Sequence, residues 1–336
     1  GSLNNVVTGD DLTIDDGAMS LTFADANAGV AKPVTLPGVV LAGADAGNYT
    51  AITPTGLTAT ISPKALTIDG ASAQDRVYDS TTLVAVSGGN LQGIVGSDAV
   101  SLVASAAKGN LDDKTIGTNR AVTVSGYDLT GGAATNYVLV QPTGLTASIT
   151  AYTLNLLGLD ADKTYDGTTV APLTFAGLDA VFAGDTVTVD ASTVTGGYGD
   201  KNVGTAKAVA VTGDFGLSGP DAGNYVLTQP GPLTGNISRL GITVAGLTIA
   251  DKVYDGTDVG AIAGTGTFGG AIAGDDLSIA VGEVTITFAD KNVGENKDVA
   301  LSGITLSGAD AGNYTAATPV GITGTITPKD LSITGL

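Results

Sequence analysis

The sequence contains no cysteine, histidine or tryptophan, and aromatic residues make up only 5% of its 336 positions. Disulfide bonds are therefore impossible, and the fold must be stabilised by burial and backbone pairing. Serine–histidine–aspartate triads, thiol nucleophiles and zinc, haem or iron–sulfur sites built from histidine or cysteine are excluded as well. These absences favour a protein that is not an enzyme and holds no cofactor of these kinds.

Basic residues are also few, since 14 lysines and arginines stand against 33 acidic residues and give a net charge of −19. Nucleic acid and anionic membrane surfaces are bound through a basic footprint, so neither is an expected partner. No apolar run approaches the length of a membrane span, and membrane insertion is not expected. Gly1-Ser2 resembles a cloning remnant, so we expect the chain to be part of a longer protein.

The sequence is dominated by internal repetition, which indicates tandem copies of one domain. A turn of the form Asp-x-x-x-Gly begins at Asp25, Asp113, Asp200 and Asp290. A Tyr-Asp-Gly motif, or its variant with serine, recurs at Tyr78-Asp79, Tyr165-Asp166-Gly167 and Tyr254-Asp255-Gly256. An asparagine–tyrosine pair recurs at spacings of 88, 88 and 89 residues, as Asn48-Tyr49, Asn136-Tyr137, Asn224-Tyr225 and Asn313-Tyr314.

These landmarks place the copies at 3–64, 65–152, 153–239 and 240–328. The first copy lacks the opening region of the others, and we interpret 329–336 as the first strand of a following repeat. An incomplete copy leaves backbone unpaired, so the strand of one molecule could add to the first copy of the next and give weak head-to-tail self-association.

The local pattern predicts an all-β protein. In the third copy, alternating or β-branched runs at 153–157, 169–175, 186–192, 207–212, 225–228 and 234–238 are separated by glycine, aspartate and asparagine clusters. About seven short strands in about 88 residues are typical of an immunoglobulin-like β-sandwich. Very short linkers between copies, two of them containing Pro63 and Pro328, predict an elongated rod.

The Tyr-Asp-Gly-Thr and Asp-Ala-Gly-Asn-Tyr motifs, in copies of about 88 residues, resemble the YDG and MBG-type (bacterial immunoglobulin-like) tandem repeats of bacterial haemagglutinin-like and filamentous surface adhesins. The resemblance covers all four copies. It implies a secreted protein of the bacterial cell surface, associated with the outer membrane, that has no enzymatic activity and contacts neighbouring repeats of its parent. The second copy departs from the pattern at Ser80 and Ala133, which argues against a strict ligand role for the aspartates that these residues accompany or replace.

The motif tyrosines have two interpretations. A ring beside a carboxylate, as at Tyr165 and Asp166, could bind a sugar. Alternatively, the ring packs in the core and the aspartate forms an Asx-type turn. Because the motif recurs from copy to copy whereas ligand sites are few in any protein, we interpret these residues and the asparagine–tyrosine pairs as structural.

Calcium is the metal that the acidic composition favours, because it takes oxygen ligands. The weak candidates are the paired aspartates Asp10, Asp11, Asp275 and Asp276. Their spacing is not that of an EF-hand loop, and the copy junctions carry Lys64, Arg239 and Lys329, which oppose a bound cation. We therefore expect no metal site and no cofactor.

Two functions fit these observations. The first is a structural stalk that projects an adhesive tip from a bacterial surface and supports cell adhesion or biofilm formation. The alternative is that one face of the repeats binds exopolysaccharide or a host glycan. The scarcity of aromatic rings favours the stalk, because sugar-binding platforms need exposed rings.

Overall fold

The computed structural model describes residues 1–335, which form β-strands, short 3-10 turns and loops without any α-helix. The expected all-β class and the tandem repetition are therefore confirmed. No helix among these residues has the length and apolarity needed to cross a membrane. The chain divides into two compact units, one ending at Tyr152 and the other beginning at Thr153, and each contains two of the repeats.

The first unit contains repeats 1 and 2. Repeat 1 has one three-stranded sheet, in the order β2-β3-β5, and the pair β1-β4; repeat 2 has a seven-stranded sheet, in the order β13-β6-β8-β10-β11-β14-β7, and the pair β12-β9. The strands are β1 (Thr13–Ile14), β2 (Thr22–Phe23), β3 (Gly29–Thr35), β4 (Leu41–Ala42), β5 (Thr58–Ile61), β6 (Lys64–Ala73), β7 (Arg76–Val77), β8 (Leu83–Gln92), β9 (Ser101–Val103), β10 (Lys108–Leu111), β11 (Gly117–Ser125), β12 (Asp128–Thr130), β13 (Tyr137–Leu139) and β14 (Thr146–Thr150).

The second unit contains repeats 3 and 4. The larger sheets have the orders β16-β24-β21-β20-β17 and β18-β15-β23 in repeat 3, and β26-β33-β30-β29 and β27-β25-β32 in repeat 4. The strands are β15 (Tyr152–Leu157), β16 (Lys163–Thr164), β17 (Val170–Ala171), β18 (Gly177–Leu178), β19 (Thr188–Asp190), β20 (Thr195–Tyr198), β21 (Gly204–Thr212), β22 (Gly216–Ser218), β23 (Tyr225–Thr228), β24 (Leu233–Ser238), β25 (Leu240–Ile249), β26 (Lys252–Val253), β27 (Ile262–Gly269), β28 (Ser278–Ile279), β29 (Thr285–Phe288), β30 (Gly294–Ser302), β31 (Leu306–Ser307), β32 (Tyr314–Ala317) and β33 (Thr323–Thr327).

A short 3-10 turn precedes the strand that begins at the tyrosine of each asparagine–tyrosine pair in repeats 2, 3 and 4. In repeat 4 it spans Ala311–Asn313 and leads directly into β32. Strand β32 then pairs in parallel with β25, from Leu240↔Tyr314 to Thr243↔Ala317. The asparagine–tyrosine pair therefore lies where β32 starts, beside the first residues of its own repeat.

Apolar packing continues across the boundary between repeats 3 and 4. One buried cluster contains Tyr165, Tyr198 and Ile237 of repeat 3 together with Ile242 and Tyr314 of repeat 4. Only Arg239 separates β24 from β25. The two repeats of this unit thus share part of one core, which fixes the surfaces that they present to each other.

The segment that follows repeat 4 does not form a strand within the described residues. Residues 329–335 lie outside any strand, and Leu331 and Ile333 are 91% and 82% exposed. The interpretation of 329–336 as an opening strand stays a prediction, and its last residue, Leu336, lies outside the described residues.

Candidate functional site at the joint between two repeats

The motif residues of repeats 3 and 4 come together at the boundary of the two repeats. We call this arrangement the joint and define it by four residues from each side. Repeat 3 contributes Tyr165, Lys201, Asn202 and Val203, and repeat 4 contributes Asp275, Asp310, Asn313 and Tyr314.

The carboxylate of Asp275 is the centre of the joint, and its side chain is only 5% exposed. It accepts hydrogen bonds from the hydroxyl of Tyr165 at 2.7 Å, from the hydroxyl of Tyr314 at 2.5 Å and from Nζ of Lys201 at 2.8 Å. Nζ of Lys201 also lies 3.0 Å from a carboxylate oxygen of Asp310. A buried carboxylate with these donors is fully paired, which is the condition under which burying a charge is tolerated.

These contacts shift the ionisation of the groups that make them. Burial opposes the charged form of Asp275, but the hydrogen bonds from Lys201, Tyr314 and Tyr165 outweigh it and hold the pKa of Asp275 below its usual value. The hydrogen bond to Asp275, followed by those to Tyr165 and Asp310, raises the pKa of Lys201. Burial and the hydrogen bond to Asp275 raise the pKa of Tyr314 to about 12.

An asparagine bridge lies beside the charged cluster. The side-chain oxygen of Asn313 accepts from the backbone N–H of Val203 at 2.9 Å, and its amide nitrogen donates to the side-chain oxygen of Asn202 at 3.2 Å. Asn313 is 4% exposed. The bridge therefore satisfies a buried amide and fixes the loop of repeat 3 against the 3-10 turn of repeat 4.

Aromatic packing completes the joint. The rings of Tyr165 and Tyr314 meet edge to face with centroids 5.3 Å apart, and both side chains are buried. Lys201 lies above the Tyr165 ring, with Nζ 5.7 Å from the centroid. A Cβ at Gly167 would lie 2.9 Å from Cγ2 of Ile272, so only glycine fits where the Tyr-Asp-Gly turn meets repeat 4.

The loop that carries Lys201, Asn202 and Val203 is held by Asp200. Its carboxylate accepts from the backbone N–H of Asn202 at 2.8 Å and from Nζ of Lys207 at 2.5 Å. The register of β21 against β24 shifts between Gly204 and Lys207, and this irregularity turns Lys207 back toward Asp200. The Asp-x-x-x-Gly motif thus builds a stiff support for the joint residues beside it.

The aspartate of the Tyr-Asp-Gly motif has a turn-forming role. The carboxylate of Asp166 accepts from the backbone N–H and the hydroxyl of Thr168, both at 2.9 Å, and from Nζ of Lys163 at 2.8 Å. Gly167 has a φ of +77°, which is favourable for glycine. Asp166 therefore shapes the loop that aims Tyr165 at repeat 4.

On the repeat 4 side, the two loops that carry Asp275 and Asp310 hold each other. The backbone N–H of Asp276 donates to the carboxylate of Asp310 at 3.0 Å, and the N–H of Ala309 donates to the carboxylate of Asp276 at 3.0 Å. Asp275 faces the joint while Asp276 faces the neighbouring loop. The two adjacent aspartates therefore make different contacts, Asp275 with repeat 3 and Asp276 within repeat 4.

The boundary between repeats 1 and 2 keeps the asparagine bridge without the charged cluster. The side-chain oxygen of Asn136 accepts from the N–H of Ala28 at 2.8 Å, and its amide donates to Asn27 at 3.1 Å. Ala26 stands where repeat 3 has Lys201, and Ala133 stands where repeat 4 has Asp310. The cation and one of its acidic partners are thus absent together from the two sides of one boundary.

The remaining motif residues take the same local positions. The hydroxyls of Tyr49, Tyr137 and Tyr225 donate to Asp10, Asp98 and Asp185 at 2.6, 2.6 and 2.7 Å, as Tyr314 does to Asp275. Asp79 and Asp255 accept from Thr81 and Thr257, as Asp166 does from Thr168. Tyr78 is 1% and Asn224 4% exposed, whereas Tyr254 is half-buried and Gly256 has a φ of +87°.

The four aspartates considered for calcium are hydrogen-bonded within the protein. Asp11 accepts from the N–H of Ala44 at 3.2 Å, and Asp10, Asp275 and Asp276 have the partners given above. Within residues 1–335, no three histidine, cysteine, aspartate or glutamate side chains converge as a metal-binding group. Two hydroxyl groups and an ammonium group surround Asp275 and donate hydrogen bonds to its carboxylate. These groups suit the binding of a carboxylate and do not suit the binding of a metal cation.

Sequence reasoning missed Lys201, Asn202 and Asp310. The Asp-x-x-x-Gly pattern predicts a turn from its aspartate and glycine, and it does not assign Lys201 or Asn202 a partner in another repeat. A signal was present, because Ala26 and Ala133 replace the lysine and the aspartate on the two sides of the same boundary.

Comparison with known proteins agrees with the repeat pattern. Residues 1–57, 62–144, 150–232 and 239–321 each match the model of one family, the YDG domain. No curated protein and no solved structure matches the chain. The matched segments contain the residues that make the joint on both of its sides.

Proposed function

This chain belongs to the YDG domain family, and we propose that it is a structural stalk segment of a bacterial cell-surface adhesin. The repeats would hold an adhesive tip away from the surface and so support cell adhesion or biofilm formation. In this proposal the parent protein is exported, and the principal partners of each repeat are its neighbours.

The observation that carries the proposal is the use made of the family's motif residues. Tyr165 is 1% exposed and donates to the buried carboxylate of Asp275 in the next repeat. The carboxylate of Asp166 is bound to its own turn and to Lys163. A tyrosine and an aspartate used in this way serve the connection between repeats, and a sugar would need an open ring face that Tyr165 does not offer.

The finer architecture belongs to the same proposal. Each full repeat would be an immunoglobulin-like sandwich, and its longest strands have 9 or 10 residues at a rise of about 3.3 Å per residue. Such a repeat with its loops is roughly 35–40 Å long, and between three and four repeats in line give roughly 130–150 Å. A joint with an ion pair to a buried carboxylate and a shared core favours a fixed angle between neighbours, which suits a semi-rigid rod.

Small-angle scattering of the whole chain tests the shape. The proposal expects a maximum dimension in the range given above and a distance distribution skewed toward short distances, as rods give. A symmetric distribution with a maximum dimension near that of a single globule of this mass would contradict it.

Glycan binding tests the function. The labelled chain should give no dose-dependent signal on arrays of bacterial polysaccharides and host glycans. The matched variant is Tyr254→Ala, because among the tyrosines of the Tyr-Asp-Gly motif Tyr254 is half-buried whereas Tyr78 and Tyr165 are buried. Saturable binding that Tyr254→Ala abolishes, with the melting temperature unchanged, would establish the alternative function of direct polysaccharide or glycan recognition.

A further inference from the structure

Repeat 4 and repeat 1 each present one half of the joint on their surfaces. The half presented by repeat 4 has the residue types that repeat 3 contributes to the joint. The half presented by repeat 1 has the residue types that repeat 4 contributes to the joint. The first set is Tyr254, Lys291, Asn292 and Val293, and the second is Asp10, Asp45, Asn48 and Tyr49.

The repeat 4 half is supported in the same way as its counterpart. The carboxylate of Asp290 accepts from the N–H of Asn292 at 2.7 Å and from Nζ of Lys297 at 2.5 Å. These contacts reproduce the ones that Asp200 makes with Asn202 and Lys207. The loop that carries Lys291 is therefore preformed before any partner arrives.

The repeat 1 half is preformed as well. The hydroxyl of Tyr49 donates to Asp10 at 2.6 Å, and the backbone N–H of Asp11 donates to Asp45 at 2.9 Å. The equivalent bonds in repeat 4 join Tyr314 to Asp275 and the N–H of Asp276 to Asp310. Little reorganisation would be needed for binding, which limits its entropic cost.

Burial separates the exposed halves from the completed joint. Asn48 is exposed where Asn313 is 4% exposed, and Tyr49 is half-buried where Tyr314 is 3% exposed. Val293 is 49% exposed, whereas Val203, its counterpart, is half-buried. The side chains that are more exposed in the two halves than in the joint are therefore apolar, aromatic or amide side chains, and their counterparts are buried or half-buried where the joint is formed.

We propose that the two halves bind each other between molecules, so that repeat 4 of one copy joins repeat 1 of a second copy. Lys291 pairs with Asp10 and Asp45, and Tyr254 donates its hydroxyl to Asp10. Asn48 bridges Asn292 and the backbone N–H of Val293. The inference rests on the geometry of the joint, is made for a chain of residues 1–336, and does not use the stalk function.

The contact is heterologous, because one molecule offers its repeat 4 half and the other its repeat 1 half. Such a contact leaves one half of each kind exposed in every complex, so it continues into longer head-to-tail chains. Charge complementarity selects this arrangement, since a lysine meets two aspartates, whereas two copies of the acidic half repel each other.

Sedimentation velocity of the full chain tests the proposal, at physiological salt, where exposed charges are screened beyond about 8 Å. The sedimentation coefficient of the wild-type chain should rise with concentration, and that of Lys291→Glu should stay constant. Lys329→Glu makes the same change of charge at an exposed lysine outside the joint and should behave as wild type. Failure of the wild-type chain to associate up to millimolar concentration would overturn the proposal, as would association of Lys291→Glu equal to that of wild type.

Mixing two variants gives a sharper result. Asp10→Lys should also abolish association, with Asp330→Lys as its matched control. An equimolar mixture of Lys291→Ala and Asp10→Lys contains one intact half of each kind, and the two altered halves place an alanine opposite a lysine and so form no ion pair. The mixture should therefore form heterodimers that grow no further. Chains longer than two, or no complex at all, would contradict the heterologous geometry.

Two further variants keep the test decisive. Asp10 also accepts from Tyr49 within repeat 1, so Asp10→Asn preserves an acceptor and should still weaken association by about tenfold or more, as expected for a lost charge-assisted hydrogen bond. Deleting 329–336 should leave association unchanged. If that deletion abolishes association while Lys291→Glu does not, strand addition by this exposed segment is the contact and the joint is not.

Discussion

At the scale of single residues, Tyr165 belongs to two repeats at once. Its ring packs in a cluster with Ile237 of its own repeat and with Ile242 and Tyr314 of the next. Its hydroxyl donates to Asp275, 110 positions along the chain. Removal of Tyr165 should therefore destabilise both repeats together.

Substitution of Tyr165 should lower the stability of repeats 3 and 4 together. Tyr165→Ala removes a buried ring and should cost about 3–5 kcal/mol. Tyr165→Phe removes one hydrogen bond to a carboxylate and should cost about 1.5–3 kcal/mol. Denaturant unfolding measures both values, and hydrogen exchange shows which repeats lose stability.

Tyr254→Phe, at the half-buried equivalent position, should change stability by less than about 0.5 kcal/mol. Loss confined to repeat 3 would contradict the coupling.

The joint should have a broad pH plateau. The pKa of Asp275 is lowered by its donors, so its contribution is present above its unfolded pKa of about 4 and is lost as pH falls through the folded value. The pKa of Tyr314 is raised to about 12, so its contribution is present below about pH 10 and is lost as pH rises from there toward 12. The pKa of Lys201 is also raised, so its contribution to stability is lost at alkaline pH as well.

Asp275→Asn isolates the acid limb, because the asparagine cannot titrate. Below about pH 4 the melting temperature of the variant should fall less steeply than that of the wild-type chain. Asp330→Asn, at an exposed position, serves as the control and should show the wild-type slope. Equal slopes for all three proteins would show that Asp275 does not govern the acid sensitivity of the joint.

At the scale of elements, the strands with alternating or β-branched residues could be predicted from the sequence. The runs at 225–228 and 234–238 correspond to β23 and β24 almost residue for residue. The run at 169–175 is reduced to β17, Val170–Ala171, and a bridge between Asp160 and Thr174.

Strand β20, Thr195–Tyr198, was missed because two of its four residues are glycines, which normally weaken a strand. The first of these glycines, Gly196, is required here by close approach. A Cβ at Gly196 would lie 2.9 Å from the carbonyl oxygen of Ala171 in the neighbouring strand. Residue propensities cannot predict this close approach, because it depends on tertiary packing.

The loop residues of the joint were beyond sequence reasoning for a related reason. Asp200 could be assigned to a turn because aspartate two positions before an N–H is a local pattern. The partners of Lys201 are Asp275 and Asp310, in another repeat, and local pattern does not identify them. Only the correlated replacements at Ala26 and Ala133 carry that information in a single sequence.

The loop that carries Lys201 should loosen when its support is removed. Asp200→Ala deletes the acceptor for Asn202 and Lys207, so the N–H of Val203 should exchange with solvent at least about tenfold faster, in line with local opening of a weakened element. Asp290→Ala is the matched change in repeat 4 and should leave the exchange of Val203 unaltered. Unchanged exchange in Asp200→Ala would mean that the joint alone orders this loop.

At the scale of the whole molecule, the metal prediction depends on the four aspartates considered as calcium ligands. The carboxylates of Asp10, Asp11, Asp275 and Asp276 each accept from groups of the protein. Removal of divalent cations with a chelator should therefore change the melting temperature of the chain by less than about 2 °C. A calcium-dependent rise of about 10 °C or more would show specific binding to the folded state.

Two of the residues that differ between the two boundaries within the units, Ala26 and Ala133, can be exchanged for their counterparts Lys and Asp. Asp98 of repeat 2 occupies the position of Asp275 and accepts from Tyr137 at 2.6 Å, but Ala26 offers it no cation. The combined change Ala26→Lys and Ala133→Asp should rebuild a lysine between two aspartates. Exposed or half-exposed ion pairs contribute about 0.2–1 kcal/mol, so the melting temperature of the first unit should rise by roughly 1–3 °C.

The sign of the single changes makes this prediction specific. Ala133→Asp alone adds a carboxylate near Asp98 without a cation and should be neutral or destabilising, whereas Ala26→Lys alone should stabilise slightly because Asp98 is already present. The double variant should then exceed the sum of the singles, which is the mark of direct coupling in a double-mutant cycle. Additive effects would mean that residues 26 and 133 do not face each other as residues 201 and 310 do, and that the two boundaries are built on different principles despite sharing the asparagine bridge.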